Sequence, residues 1–117
     1  MSPTALIVDD HPSFRASARA VLEAEGFDVV GELEDGASVR AAVLALEPDV
    51  VLLDVQLPDM SGFDVCAQLE DAGRAVQVIL VSSRDLSDYG ELVETSCACG
   101  FVPKGELSGD LITALLA

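Results

Sequence analysis

Polar side chains follow several short apolar runs of this sequence, at the point where each run ends. The run at residues 4–8 ends in Asp9 and Asp10, the run at 50–53 ends in Asp54, and two later runs end in Ser82 and Lys104. Short apolar runs bounded by turn residues are typical of strands buried on both faces. Ligands of open parallel sheets bind where the strands end. We therefore expect these side chains to share one rim.

Three carboxylates in one pocket repel each other strongly and call for a cation. Oxygen-only ligands with room for water suit Mg²⁺, or Mn²⁺, better than zinc. Lys104 is the only lysine in the chain, and an ammonium at a strand end suits an anion such as a phosphoryl group. The ordinary alternatives are an Asx turn or a helix cap for Asp54, and a solvated surface lysine beside Glu106 for Lys104.

Apolar spacing and turn residues predict strands that alternate with helices along the whole chain. The predicted strands are 4–8, 27–31, 50–54, 76–81 and 100–103. The predicted helices begin near Pro12, Asp35, Gly62, Ser87 or Asp88, and Ser108, and Gly26, Pro48 and Gly73 end the first three. Leu92 and Val93 would form the inner face of the fourth helix. This alternation predicts an α/β fold with one parallel five-stranded sheet and helices on both faces, as a single domain over residues 1–117.

The charge and composition of the chain indicate which kinds of molecule it is expected not to bind. The 117 residues include 21 acidic and 6 basic ones, for a formal net charge of −15. Such a surface repels nucleic acid and anionic lipid, so we expect neither direct nucleic-acid binding nor membrane binding by this domain. No apolar run reaches the length of a membrane span and no signal peptide is visible, so we expect a cytoplasmic protein. The three cysteines, Cys66, Cys97 and Cys99, are interpreted as small buried apolar residues in a reducing compartment.

The ordered set of polar residues resembles the receiver domain of two-component response regulators. The matching pieces are the Asp9-Asp10 pair, Asp54, Pro58 and Gly62 in the loop that follows it, Ser82, and Lys104. The triplet at residues 9–11 and the segment at 100–104 most resemble receivers that precede a helix-turn-helix DNA-binding domain. This resemblance implies a flavodoxin-like, doubly wound three-layer sandwich. It also implies a sensor histidine kinase as phosphoryl donor, an output domain or downstream protein as target, and a possible homodimer on activation.

The resemblance also implies a role for each matched residue. Asp54 would accept the phosphoryl group, and Lys104 would pair with one of its oxygens. The Ser82 hydroxyl and the Ser83 backbone N–H would bind the others. Mg²⁺ would be held by Asp10, Asp54 and the backbone carbonyl of Gln56, with Asp9 acting mainly through a water. On phosphorylation Ser82 would move toward the phosphoryl group, Phe101 would rotate into the vacated space, and the α4-β5-α5 surface would change.

Some positions depart from the commonest receiver pattern. Gly105 follows Lys104 where a proline is frequent, which predicts a less firmly aimed lysine. The Ser83 side chain would crowd the site, and Phe101 lacks the hydroxyl of the usual tyrosine. Gln56 and Arg84 are expected to flank an attacking water and to tune the lifetime of the phosphorylated form. His11 is expected to have a positional role at the start of the first helix.

Two other functions remain open from the sequence. A small Mg²⁺-dependent phosphatase would carry an acidic residue two positions after the nucleophile, but Gln56 occupies that position and cannot exchange protons usefully. A stand-alone, phosphorylation-independent interaction module would need none of the Asp, Ser and Lys set.

Overall fold

The chain folds around one parallel β-sheet in the computed structural model, which describes residues 2–71 and 76–116. The strands are β1 (Thr4–Val8), β2 (Asp28–Leu33), β3 (Val50–Asp54), β4 (Gln77–Ser82) and β5 (Gly100–Pro103). The helices are α1 (Pro12–Ala24), α2 (Val39–Leu46), α3 (Gly62–Asp71), α4 (Leu92–Thr95) and α5 (Gly109–Leu116), with 3-10 turns at Leu86–Asp88 and Lys104–Glu106.

The strand order in the sheet is β2-β1-β3-β4-β5, and every neighbouring pair is parallel. The order reverses direction at β1, so β1 and β3 run side by side and place Val8 opposite Leu53. A crevice outside the strand ends forms at such a reversal point. The predicted doubly wound, flavodoxin-like fold is therefore confirmed, and the polar residues after β1 and β3 emerge next to each other.

Each face of the sheet is covered by its own apolar layer. One layer joins alternate strand residues such as Leu6 and Leu53 to the buried side of α2 and α3. The other joins Ile7, Leu52 and Ile79 to α1 and α5. All five residues of β3 are buried, as expected for a central strand with helices on both faces.

Several predicted boundaries shift. β2 continues to Leu33, and β4 runs from Gln77 to Ser82. Asp35 does not cap α2 directly, because its Oδ1 accepts a hydrogen bond from the backbone N–H of Ser38, one residue before the helix. The predicted end of α3 at Gly73 lies outside the described residues.

The fourth helix differs most from its prediction. It is a 3-10 turn followed by a four-residue α-helix at Leu92–Thr95. Val93 packs against the core, but Leu92 is 54% exposed, so its predicted place on an inner face is wrong. Gly90 lies between the two short helices with φ +57°, a conformation that interrupts a continuous helix.

The cysteines follow their prediction in part. Cys66 is buried and Cys97 half-buried, but Cys99 is exposed, so burial was wrongly expected for it. Within the described ranges, no helix has the length and hydropathy needed to cross a bilayer.

Gly62 fixes how closely α3 approaches the end of β3. A Cβ atom at this residue would lie 2.6 Å from the backbone oxygen of Asp54 and 3.0 Å from Cα of Val55. Both neighbours are backbone atoms, so they cannot turn away as a side chain would. The absence of a side chain at Gly62 thus lets the loop that carries Asp54 fold back against the first turn of α3.

We predict that Gly62→Ala lowers the free energy of unfolding by about 1–3 kcal/mol, the usual cost of overpacking. Gly105→Ala is the matched control, because its Cβ would meet no atom within 4 Å. It should leave stability unchanged or slightly raised. Urea denaturation measures both, and equal stability of the two variants would contradict the tight approach at Gly62.

Candidate functional site

Acidic side chains from two strand ends converge at the carboxyl edge of the sheet. Ligand atoms of Asp9, Asp10, His11 and Asp54 all lie within 4.8 Å of one another. Asp9 is 0% and Asp54 2% exposed, while Asp10 is partly exposed. The adjacency of β1 and β3 brings the three aspartates together, as the sequence predicted, and leaves Asp10 as the most exposed of them.

Lys104 reaches into the same pocket from the turn after β5. Its Nζ lies 2.6 Å from Asp9 Oδ2 and 3.3 Å from Asp54 Oδ2. The same Nζ lies 4.7 Å from the centroid of the Phe14 ring, within the range of a cation–π contact. The side chain is 14% exposed. The surface-lysine alternative is therefore wrong, and the ammonium is aimed at the carboxylates despite Gly105 beside it.

The pocket still leaves buried carboxylate oxygens without a hydrogen bond. Among the described residues, Asp9 Oδ2 and Asp10 Oδ1 are the buried side-chain oxygens that receive none. Asp9 Oδ2 has only the ionic contact with Lys104, and Asp10 Oδ1 lies 3.1 Å from His11 Nδ1. Each of these oxygens has two or more acceptor positions, so it keeps room for a further ligand. Together with the all-oxygen character of the three carboxylates, they fit a hard divalent cation such as Mg²⁺.

Burial raises the pKa of Asp54 above its usual value of 3.8, and the negative charge of Asp9 raises it further. The backbone N–H of Gln56, which donates to Asp54 Oδ1 at 3.1 Å, and Lys104 oppose this rise. Since the folded-state pKa is raised, the charged form is less favourable in the fold than in the unfolded chain. The ionised Asp54 therefore costs stability near neutral pH, and this cost disappears as the pH falls below about 3.8.

Ser82 lies at the end of β4 and is completely buried. Its Oγ lies 2.6 Å from the hydroxyl of Tyr89 and accepts a hydrogen bond from the backbone N–H of Arg84 at 3.0 Å. The Tyr89 ring contacts Phe101, with ring centroids 5.6 Å apart. The predicted switch residues Ser82 and Phe101 are thus joined through Tyr89, which the sequence analysis did not single out.

Other predicted residues surround this cluster. Gln56, Ser83 and Arg84 follow β3 and β4 and are exposed. His11 directly precedes α1, at the position predicted for it, but its ring also reaches the cluster, with Nδ1 3.0 Å from Asp9 Oδ1 and 3.3 Å from Lys104 Nζ. This participation was missed because a single histidine gives no signal of its neighbours across the sheet.

Comparison with known proteins identifies the class. The sequence matches the response regulator receiver domain family over residues 5–116, and the chain belongs to that family. It is 34% identical over 112 residues to the putative positive transcription regulator of virulence factors BvgA of Bordetella pertussis, covering 96% of this chain and 54% of that protein. It is 34% identical over 113 residues to the DNA-binding transcriptional activator EvgA of Escherichia coli K12, covering 97% of this chain and 55% of that protein.

Solved structures agree with this assignment. The signal receiver domain of the putative response regulator NarL from Mycobacterium tuberculosis superimposes with a TM-score of 0.86 at 31% identity, covering 98% of this chain and 94% of that one. A DNA-binding response regulator of the LuxR family from Staphylococcus aureus has the same fold, with a TM-score of 0.87 at 21% identity and full coverage of both chains. The chain spans about half the length of the curated relatives it matches. It is a signalling receiver domain, and its relatives are transcriptional regulators.

We predict that millimolar Mg²⁺ raises the melting temperature of the protein, because a cation that binds only the folded state stabilises it. A concentration tenfold above the dissociation constant would add about 1.4 kcal/mol. Differential scanning calorimetry at matched ionic strength measures this effect.

Asp10→Asn should remove most of the Mg²⁺-dependent shift. Asp28→Asn makes the same chemical change at an exposed residue that starts β2, at the opposite edge of the sheet, and should retain the shift. A melting temperature of the wild type that responds to Mg²⁺ no more than to a monovalent salt would rule out the proposed cation site.

Proposed function

We propose that Asp54 accepts a phosphoryl group from a phosphohistidine on a sensor histidine kinase, in a Mg²⁺-dependent reaction. The observation that carries this proposal is the placement of the Lys104 ammonium 3.3 Å from Asp54 Oδ2 in a pocket of buried acids. A lysine at this distance can pair with the carboxylate before the reaction and with an oxygen of the attached phosphoryl group after it.

Only the Asp54 carboxylate of this protein would form a covalent bond in the reaction. A carboxylate oxygen of Asp54 attacks phosphorus in line with the departing imidazole nitrogen of the kinase. The P–N bond breaks, an acyl phosphate forms, and the imidazole takes up a proton from solvent. Catalysis of such a transfer rests on positioning and on neutralising the equatorial oxygens. The hydrogen bond from the Gln56 N–H to Asp54 Oδ1 orients the nucleophile.

The acidic cluster supplies the ligands for the cation. Asp10, Asp54 and the backbone carbonyl of Gln56 would hold Mg²⁺ directly, and Asp9 would act mainly through a water. When bound, the ion neutralises the carboxylates and stabilises charge on the phosphoryl oxygens. Asp9 differs from the other acids because Lys104 already contacts it at 2.6 Å. Its role here is therefore also to hold the lysine over the pocket before the phosphoryl group arrives.

The remaining residues would convert phosphorylation into a change of shape. The Ser82 hydroxyl and the Ser83 backbone N–H would bind phosphoryl oxygens, and Phe101 would turn inward as Ser82 moves. This biases a two-state packing element by a local charge change. The surface formed by α4, β5 and α5 would then alter its contacts with an output domain or a partner protein.

The output we propose is transcription regulation. It rests on the relatives, which are named as transcriptional regulators and extend well beyond the matched region. This domain itself would not bind nucleic acid, because its charge of −15 repels it. Pairing of two copies on activation and a cytoplasmic location would fit this output.

We predict that wild-type protein incubated with acetyl phosphate and Mg²⁺ gains one phosphoryl group, and that Asp54→Asn gains none while keeping its circular dichroism spectrum. Intact-mass spectrometry measures the gain, and Asp28→Asn is the control that should behave as the wild type.

Two outcomes separate the alternatives. A wild type that gains no mass and binds no beryllofluoride would instead favour a phosphorylation-independent interaction module. Steady hydrolysis of a small phosphate ester would favour a phosphatase, which the amide at Gln56 disfavours because it cannot act as acid or base.

A further inference from the structure

We propose that Tyr89 is a positioning residue that latches the resting state: its hydroxyl holds Ser82 away from the phosphorylation site, and its ring blocks the inward turn of Phe101. This inference rests on the proposed function of Asp54 and Ser82 and adds a regulatory group to it.

The first observation is the hydrogen bond between the two hydroxyls. Tyr89 Oη and Ser82 Oγ are 2.6 Å apart, and Ser82 is fully buried. The Arg84 N–H also donates to Ser82 Oγ. Either hydroxyl can be the donor of this bond, and the Arg84 N–H occupies one acceptor position of Ser82. In the proposed function Ser82 moves toward the phosphoryl group, and that movement would break its 2.6 Å contact with Tyr89.

The second observation is the row of aromatic rings that holds Tyr89 in place. Its ring lies 5.6 Å from the Phe63 ring in an edge contact at 66° and 5.6 Å from the Phe101 ring at 58°. These separations are typical of favourable aromatic pairs. Phe63 belongs to α3 and Phe101 to β5, so the Tyr89 ring lies between two elements of the fold. A rotation of Phe101 would change its contact with the Tyr89 ring.

The third observation is where Tyr89 lies in the chain. It follows the 3-10 turn Leu86–Asp88, which begins four residues after Ser82, where β4 ends, and it precedes Gly90, whose φ is +57°. The following α4 has only four residues and begins at the exposed Leu92. A short segment with few buried residues reorganises at low cost. Release of one hydroxyl contact would thus free a segment that borders the proposed output surface.

In this chain Tyr89 supplies a side-chain hydroxyl near Ser82, whereas residue 101 is a phenylalanine and has none. The side-chain hydroxyl that contacts Ser82 comes from Tyr89, in the segment after β4. The hydrogen bond between Ser82 and Tyr89 stabilises the resting state. The contact between Ser82 and the phosphoryl group must be more favourable than this hydrogen bond for the active state to be populated. Tyr89 therefore sets how readily the domain is phosphorylated.

The test is the variant Tyr89→Phe, which removes the hydroxyl and keeps the ring. We predict that its initial rate of phosphorylation by acetyl phosphate with Mg²⁺ rises about twofold to tenfold, the range that loss of one hydrogen bond supplies. Ser87→Ala is the matched control, because it removes an exposed hydroxyl from the adjacent 3-10 turn, and its rate should equal that of the wild type.

A double-mutant cycle shows whether Tyr89 acts through Ser82. In the Ser82→Ala background, Tyr89→Phe should change the rate no further, because the contact it removes is already absent. An equal acceleration in both backgrounds would overturn the latch, as would an unchanged or lower rate of Tyr89→Phe alone.

A second readout needs no phosphoryl group. The chain has 4 phenylalanines and Tyr89→Phe adds one, few enough for the ¹³C-labelled phenylalanine signals, Phe101 among them, to be assigned. In the unphosphorylated Tyr89→Phe protein, the inward rotamer of Phe101 should be more populated than in the wild type, and in Ser87→Ala it should not. An unchanged rotamer population would contradict the latch even if Asp54 is phosphorylated. If the wild type gains no phosphoryl group at all, the proposed function fails, and the rotamer comparison still decides the latch.

Discussion

The crowding of negative charge at one edge of the sheet is the constraint on which the site depends. Asp9 and Asp54 are almost completely removed from water, and Asp10 lies beside them. Buried carboxylates this close are stable only with compensating charge. In the described residues the compensation comes from Lys104, which contacts Asp9 and Asp54 together. One ammonium cannot neutralise three carboxylates, so the pocket could hold a further cation.

The fold makes this crowding possible at little cost in local structure. Parallel pairing of β1 with β3 places two strand ends side by side, and β5 returns to the same edge to deliver Lys104. The side chains of β3 are buried on both faces, so the strand cannot shift to relieve repulsion at its end. The loop after Asp54 is also held in place, because it packs directly against the backbone of Gly62. The repulsion between the carboxylates is therefore retained in the site, where a cation could relieve it.

The sequence predicts the features of this structure that depend on local residue patterns and misses those that depend on tertiary contacts. The central strands were predicted closely, because β-branched and apolar runs ending in turn residues define buried strands. The convergence of Asp9, Asp10, Asp54 and Lys104 followed from the rule that parallel strands end at one edge. The fourth helix was not predicted well, since its extent depends on the positive φ of Gly90 and on tertiary contacts.

The contacts that the sequence does not predict are those between individual side chains at the carboxyl edge of the sheet. Nothing in the sequence places the Tyr89 hydroxyl on Ser82, or the His11 and Phe14 rings beside Lys104, because each depends on side-chain direction rather than on spacing. The receiver fold and family are established by the match over residues 5–116.

The most direct test of the charge crowding is a ¹³C NMR titration of the Asp54 carboxyl group in the metal-free protein. The account predicts a midpoint above 3.8, the ordinary value for this side chain, because burial and Asp9 disfavour its ionised form. Addition of Mg²⁺ should lower the midpoint, since the cation favours the carboxylate. A midpoint at or below 3.8 that does not respond to Mg²⁺ would contradict the account.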